Sequence, residues 1–150
     1  MNPSKSKGTA AETLAVRWFR ANGFPQADRQ PLRGNRDTGD LDIAPGVVVE
    51  VKAHKLPTGH PTAGQVATWM AQSTLERDNA GARYCPLVVK RPGTTDVGRW
   101  FAFVTFADLA LLTGAFVPRD VDEVPVSLPV SALAAVLRSA GYGEPLEVAA

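Results

Sequence analysis

Cysteine is almost missing from these 150 residues: Cys85 stands alone, so no intrachain disulfide can form. That usage fits a reducing cytoplasm. Long apolar runs are missing too. No segment approaches the roughly 20 residues that a membrane span needs. The opening Met1-Asn2-Pro3-Ser4-Lys5 leads into a polar stretch, not into the apolar core of a signal peptide. Histidine is scarce, and His54 and His60 sit in a Pro/Gly-rich stretch with no partner at ligand spacing. Both read as surface or polyanion-proximal groups, not metal ligands. Repeats and low-complexity tracts are absent.

What remains is ordinary globular composition, 45% apolar and 21% charged, at a length that fits one domain. The net charge of +1 is unevenly spread. Residues 1–55 hold nine Lys/Arg against six Asp/Glu, whereas residues 106–150 hold two against six. Four acids of the first stretch cluster as Asp37, Asp40, Asp42 and Glu50. Apart from them the first third is strongly basic, which admits a polyanionic partner there and argues against one at the tail.

Ala11, Leu14, Ala15, Trp18 and Phe19 form an apolar stripe at helical spacing. The spacing predicts a helix from residue 6 or 9 to 22, stopped by Gly23 and Pro25. Residues 27–33 alternate weakly and run into the basic loop Arg33-Gly34-Asn35-Arg36, at the edge of a sheet. Asp40-Leu41-Asp42-Ile43 and Val47-Val48-Val49-Glu50-Val51-Lys52 flank the turn Ala44-Pro45-Gly46, which reads as a hairpin. A second helix is expected over 62–80, capped by Gly81. Strands follow at 84–90 and 100–106, then a short helix at 107–113, a Pro-rich connection and a last helix over 131–140. Trp18, Trp69 and Trp100 read as core anchors. The order is that of a mixed α/β (α+β) domain.

Strand alternation puts Asp40 and Asp42 on one face and Leu41 and Ile43 on the other; Glu50 and Lys52 likewise lie opposite Val49 and Val51. Burying both apolar faces gathers the four charged residues together. Two antiparallel registers satisfy that parity, Asp40 opposite Glu50, or Asp42 opposite Glu50 with Asp40 opposite Lys52. Either leaves Asp40 and Glu50 roughly 5–8 Å apart at Cβ. Two carboxylates so placed can share one Mg²⁺, and Lys52 can offset charge on a phosphoryl group or orient a water. The short E-x-K string by itself also describes an exposed ion pair. The D-x-D strand, the turn and the apolar strand ending in Glu50-Val51-Lys52 are a more specific combination.

With Lys7-Gly8-x-x-x-Glu12, Gly39-Asp40-Leu41, Val49-Glu50-Val51-Lys52 and Val88-Val89-Lys90-Arg91, the chain resembles the PD-(D/E)XK nuclease superfamily. Within it the chain is most similar to the Holliday junction resolvases of archaea and of phages infecting actinobacteria. Gly39 stands where the name motif has proline. The resemblance implies a restriction-endonuclease-like αβββαβ core over residues 1–106, with residues 107–150 as a C-terminal helical extension of the same domain. It implies a Mg²⁺-dependent endonuclease, with Mn²⁺ able to substitute, that cuts branched DNA in recombination or repair. A homodimer in the cytoplasm of a bacterial or phage-infected cell is implied as well.

By the same resemblance Asp40 and Glu50 are metal ligands, Lys52 is the catalytic lysine and Glu12 helps to hold metal or water. Asp42 competes for the ligand role. Thr9-x-x-Glu12 also reads as a capping box, although Glu12 borders the apolar stripe and can face the sheet. Lys5, Lys7, Arg29, Arg33, Arg36, Lys55, Lys90 and Arg91 are candidate phosphate contacts. Gln65 and Gln72 read as a solvated helix face. The apolar last helix, with Val130, Leu133, Val136 and Leu137, either supports a dimer or covers the sheet. Two alternatives stay open: a repair- or restriction-type nuclease of the same superfamily, and a non-catalytic DNA-binding protein that keeps the fold.

Overall fold

The computed structural model describes residues 3–31 and 37–148, with the side chains of residues 3–6 left out. Helix α1 spans Pro3–Ala21. It buries Ala11, Ala15 and Phe19 completely and leaves Arg17 and Arg20 exposed, as the stripe predicts. It begins earlier than the capping signals suggest. Pro3 is the first helical residue, where a missing N–H costs nothing and φ is already set.

Strands β1 (Asp28–Arg29), β2 (Leu41–Ala44) and β3 (Val47–Lys52) form an antiparallel meander. Helix α2, Ala63–Ala80, then crosses over to β4, Leu87–Val89, which pairs parallel with β3. Thr62 and Gln65 cap the start of α2 reciprocally, and Gly81 closes it in the left-handed conformation. β4 is shorter than residues 84–90 because Pro86 interrupts the run; Tyr84 makes only an isolated bridge to Val47. Strand β5, Phe101–Thr105, leads directly into α3, Phe106–Thr113.

The C-terminal segment departs from the expected helical extension. Residues Pro125–Pro129 form a sixth strand, β6, antiparallel to β5, which completes one mixed sheet in the order β1-β2-β3-β4-β5-β6. Its two prolines read as loop signals, but proline is tolerated on an edge strand, and Val126 and Leu128 alternate inward between them. Helix α4, Val130–Ser139, then packs Val130, Leu133, Ala134 and Leu137 onto the sheet, each 0% exposed. These side chains cover the sheet and leave no free apolar stripe there for a partner.

Helices α1 and α4 share the larger core, built on Phe19, Leu41, Ile43, Val49, Val88 and Trp100. Helix α2 covers the opposite face through Val66 and Trp69, which meet Leu87, Val89 and Phe103. Each large side chain so buried contributes about 1.5–3 kcal/mol. Among the described residues no helix is long and apolar enough to cross a membrane.

Candidate active site

The β2–β3 register pairs Leu41 with Val49 and Asp42 with Val48, which sets Asp40 opposite Glu50, the first of the two registers that parity allows. Asp40 lies just before β2. Its amide donates to the Val49 carbonyl at 3.0 Å, and its Oδ2 accepts from the Val51 amide at 2.8 Å. The carboxyl is therefore fixed across the hairpin. Lys52 donates from Nζ to Glu50 Oε1 at 2.7 Å. The ion pair is not on a wet surface, because α2 lies over this face and leaves Glu50 only 4% exposed.

Sequence reasoning missed a fourth member. Glu76 of α2 is also 4% exposed, on the helix stripe that covers β3, close enough for Glu50 to act on its carboxyl. A signal for it exists. Val66, Trp69, Ser73 and Glu76 recur at intervals of three, four and three, so the acid continues the buried stripe of the helix. The stripe is apolar where it meets Leu87 and Val89 and polar where it meets Glu50. Cys85 is buried as well, and burial, then the Glu76 charge, pushes its thiol far up. It is an inert buried thiol.

The electrostatics follow from this crowding. Burial, then the charge of Glu50, raises Asp40 from its ordinary 3.8 to about 7. Burial, then the hydrogen bond and charge of Glu50, raises Glu76 from 4.5 to about 9. Burial opposes the charge on Lys52, but the Glu50 hydrogen bond and charge outweigh it, so its ammonium is held above the ordinary lysine range.

A consequence for stability can be measured. The native state holds protons on Asp40 and Glu76 that the unfolded chain releases near pH 4. Their stabilisation is complete below about pH 4 and is lost as pH rises through about 7 and about 9. Without divalent cation, stability should fall by several kcal/mol from pH 5 to 9, since each unit of raised pKa that is crossed costs about 1.4 kcal/mol. Glu76→Gln should flatten that slope in urea titrations. An unchanged slope in the variant would show that Glu76 does not carry the protons.

The other expected site residues are more dispersed. Glu12 faces the sheet: its charge contributes to raising Asp40, and its Oε2 accepts from Arg29 Nε at 2.8 Å. The capping-box reading of Thr9 and Glu12 is corrected, since Thr9 lies inside α1, where its carbonyl accepts from the Thr13 hydroxyl. Asp42 is exposed, paired across the sheet with Asp28 and Val48, and burial raises its carboxyl. It stands apart from the cluster. Lys7, Lys55 and Arg91 are exposed, and Lys90 is half-buried and bonded through its amide to the Lys52 carbonyl at 2.8 Å. Arg91 stacks over Phe101 at 5.5 Å. Arg33, Arg36 and the Lys5 side chain lie outside the described residues. Gln65 serves the α2 cap, Gln72 is exposed, and the exposed His54 ring stacks 5.0 Å from Trp69.

Among the described residues no three His, Cys, Asp or Glu side chains converge as a ready-made metal cage. The donor set still fits a hard cation. All donors are carboxylate oxygens, and Glu50 Oε2 is buried with no hydrogen-bond partner. Mg²⁺ commonly takes one or two carboxylates and keeps its other ligands as water. Comparison with protein-family models, curated proteins and solved structures gave no match.

Proposed function

We propose that this chain is a divalent-cation-dependent DNA endonuclease of the PD-(D/E)XK kind. The observation that carries the reading is the juxtaposition of Asp40, Glu50 and Lys52 across one hairpin, with the Glu50–Lys52 pair at 2.7 Å. The element order supports it. A helix, an antiparallel three-strand meander, a crossover helix and a parallel fourth strand follow the αβββαβ order of the restriction-endonuclease-like core.

Asp40 and Glu50 are the residues to hold Mg²⁺, or Mn²⁺ in its place. A cation bound there supplies Lewis-acid polarisation of a phosphodiester and activation of water. Lys52 is held charged by Glu50, so its ammonium can stabilise negative charge growing on the phosphoryl oxygens. The Val51 amide keeps the Asp40 carboxyl aimed at the same place. Glu12 fixes Arg29 at the rim, and Lys7, Lys55, Lys90 and Arg91 supply charge for phosphate contacts. Branched DNA, above all a four-way junction, is the proposed substrate, and paired nicks across a two-fold junction call for a homodimer.

Labelled junctions, flaps and linear duplexes of shared sequence, incubated with protein and Mg²⁺ or Mn²⁺, test this directly. Junctions should be cut fastest, and chelation should stop all cutting. Intact DNA in every lane would sink the nuclease reading. Equal cutting of duplexes would sink the junction preference alone, and tight junction binding without cutting would favour a non-catalytic binder.

A further inference from the structure

The proposed chemistry uses Asp40, Glu50 and Lys52 and gives no work to Glu76. Yet Glu76 is the most expensive side chain on its helix. It occupies a core-facing position in register with Val66 and Trp69, where an ionised acid loses its hydration. Its Oε2 is buried without a hydrogen-bond partner, and so is Oε2 of Glu50, on the strand that α2 covers. The Lys52 ammonium is committed to Glu50 Oε1. Two buried oxygens without partners, on carboxyl groups that lie between α2 and β3, are a donor set that a cation can occupy.

We propose that Glu50 and Glu76 together hold a divalent cation on the α2 side of Glu50, which makes Glu76 a metal ligand. The donors are hard oxygens and only two in number, which suits Mg²⁺ or Mn²⁺ with water in the remaining positions. Glu50 is then shared between this position and the one it forms with Asp40. The Ser73 hydroxyl, also buried and unpartnered, lies on the same helix stripe and can accept or donate to such a water. The inference rests on the preceding reading insofar as both use Glu50, but it concerns binding rather than cleavage.

Mn²⁺ is the probe, followed by titration calorimetry and by the electron paramagnetic resonance signal of the free ion, with no DNA present. Glu76→Gln should weaken Mn²⁺ binding at least about tenfold or remove one equivalent. Glu76→Asp, which keeps a carboxylate, should fall between it and the wild type, and circular dichroism establishes that each variant is folded. Wild-type affinity and stoichiometry in folded Glu76→Gln would overturn the inference while leaving the nuclease reading intact. Glu76-dependent Mn²⁺ binding in a protein that cuts no DNA would support the inference and remove the nuclease reading. A wild-type protein that binds no Mn²⁺ overturns both.

Discussion

Replacing Glu50 by Gln should slow DNA cleavage in Mg²⁺ by roughly 10³-fold or more, and Lys52→Ala by roughly 10²–10³-fold. The larger figure corresponds to about 4 kcal/mol of lost transition-state stabilisation. Gln keeps the shape of the side chain but removes the charge that binds cation and that holds Lys52 at 2.7 Å. Two functions therefore fail together, and a double variant should lose little more than Glu50→Gln alone, because residues acting as a unit are not additive. Binding of uncut DNA should persist in both variants, since phosphate contacts come from elsewhere. Single-turnover cleavage and filter binding separate the two readouts. Glu50→Gln cutting at the wild-type rate would show that the chemistry lies outside this hairpin.

The second large effect concerns stability. Trp100→Ala should destabilise the domain by about 3–5 kcal/mol, a third or more of what a domain usually has. Trp100 is 0% exposed, sits where the turn at Val97–Arg99 enters β5, and packs in the core shared by α1 and α4. Its indole N–H donates to the Thr94 carbonyl at 3.1 Å, so the truncation also strands an acceptor. Its own carbonyl accepts from the Val130 amide at 3.0 Å, which ties β5 to the start of α4. A fall in melting temperature of roughly 6–20 °C is expected for a chain of this size. Trp69→Ala should cost less, because Trp69 belongs to the smaller cluster under α2. Equal losses from the two variants would contradict this view of the core.

The parts legible from sequence were those governed by local periodicity. The stripe of α1, the bounds of α2 and the parity of the hairpin all follow from side-chain spacing, and parity alone narrowed Asp40 and Glu50 to two registers. The parts that were not legible depend on distant contacts. Nothing within residues 47–52 shows that α2 will cover Glu50 and turn a half-wet ion pair into a buried one. Glu76 could have been found from its place in the stripe, but an acid there reads as solvated until the covering sheet is known. β6 was hidden by its prolines, whose meaning changes with position: they break a central strand and are tolerated on an outer one.

The prolines of β6 bear on how two copies associate. The amides of Phe106 and Val130 bond inward to Val124 and Trp100 at 2.8 and 3.0 Å. The alternation of an antiparallel ladder then turns the backbone nitrogens of residues 125, 127 and 129 away from β5. Two of these are prolines and carry no hydrogen, so Ser127 offers the single outward donor along β6. At the far side of the sheet, β1 has only two residues. Among the described residues, short β1 and donor-poor β6 are weak templates for a further strand, which guards the molecule against fibre-like growth. A dimer of the proposed kind is therefore expected to meet through side chains and helices, not by joining two sheets into one.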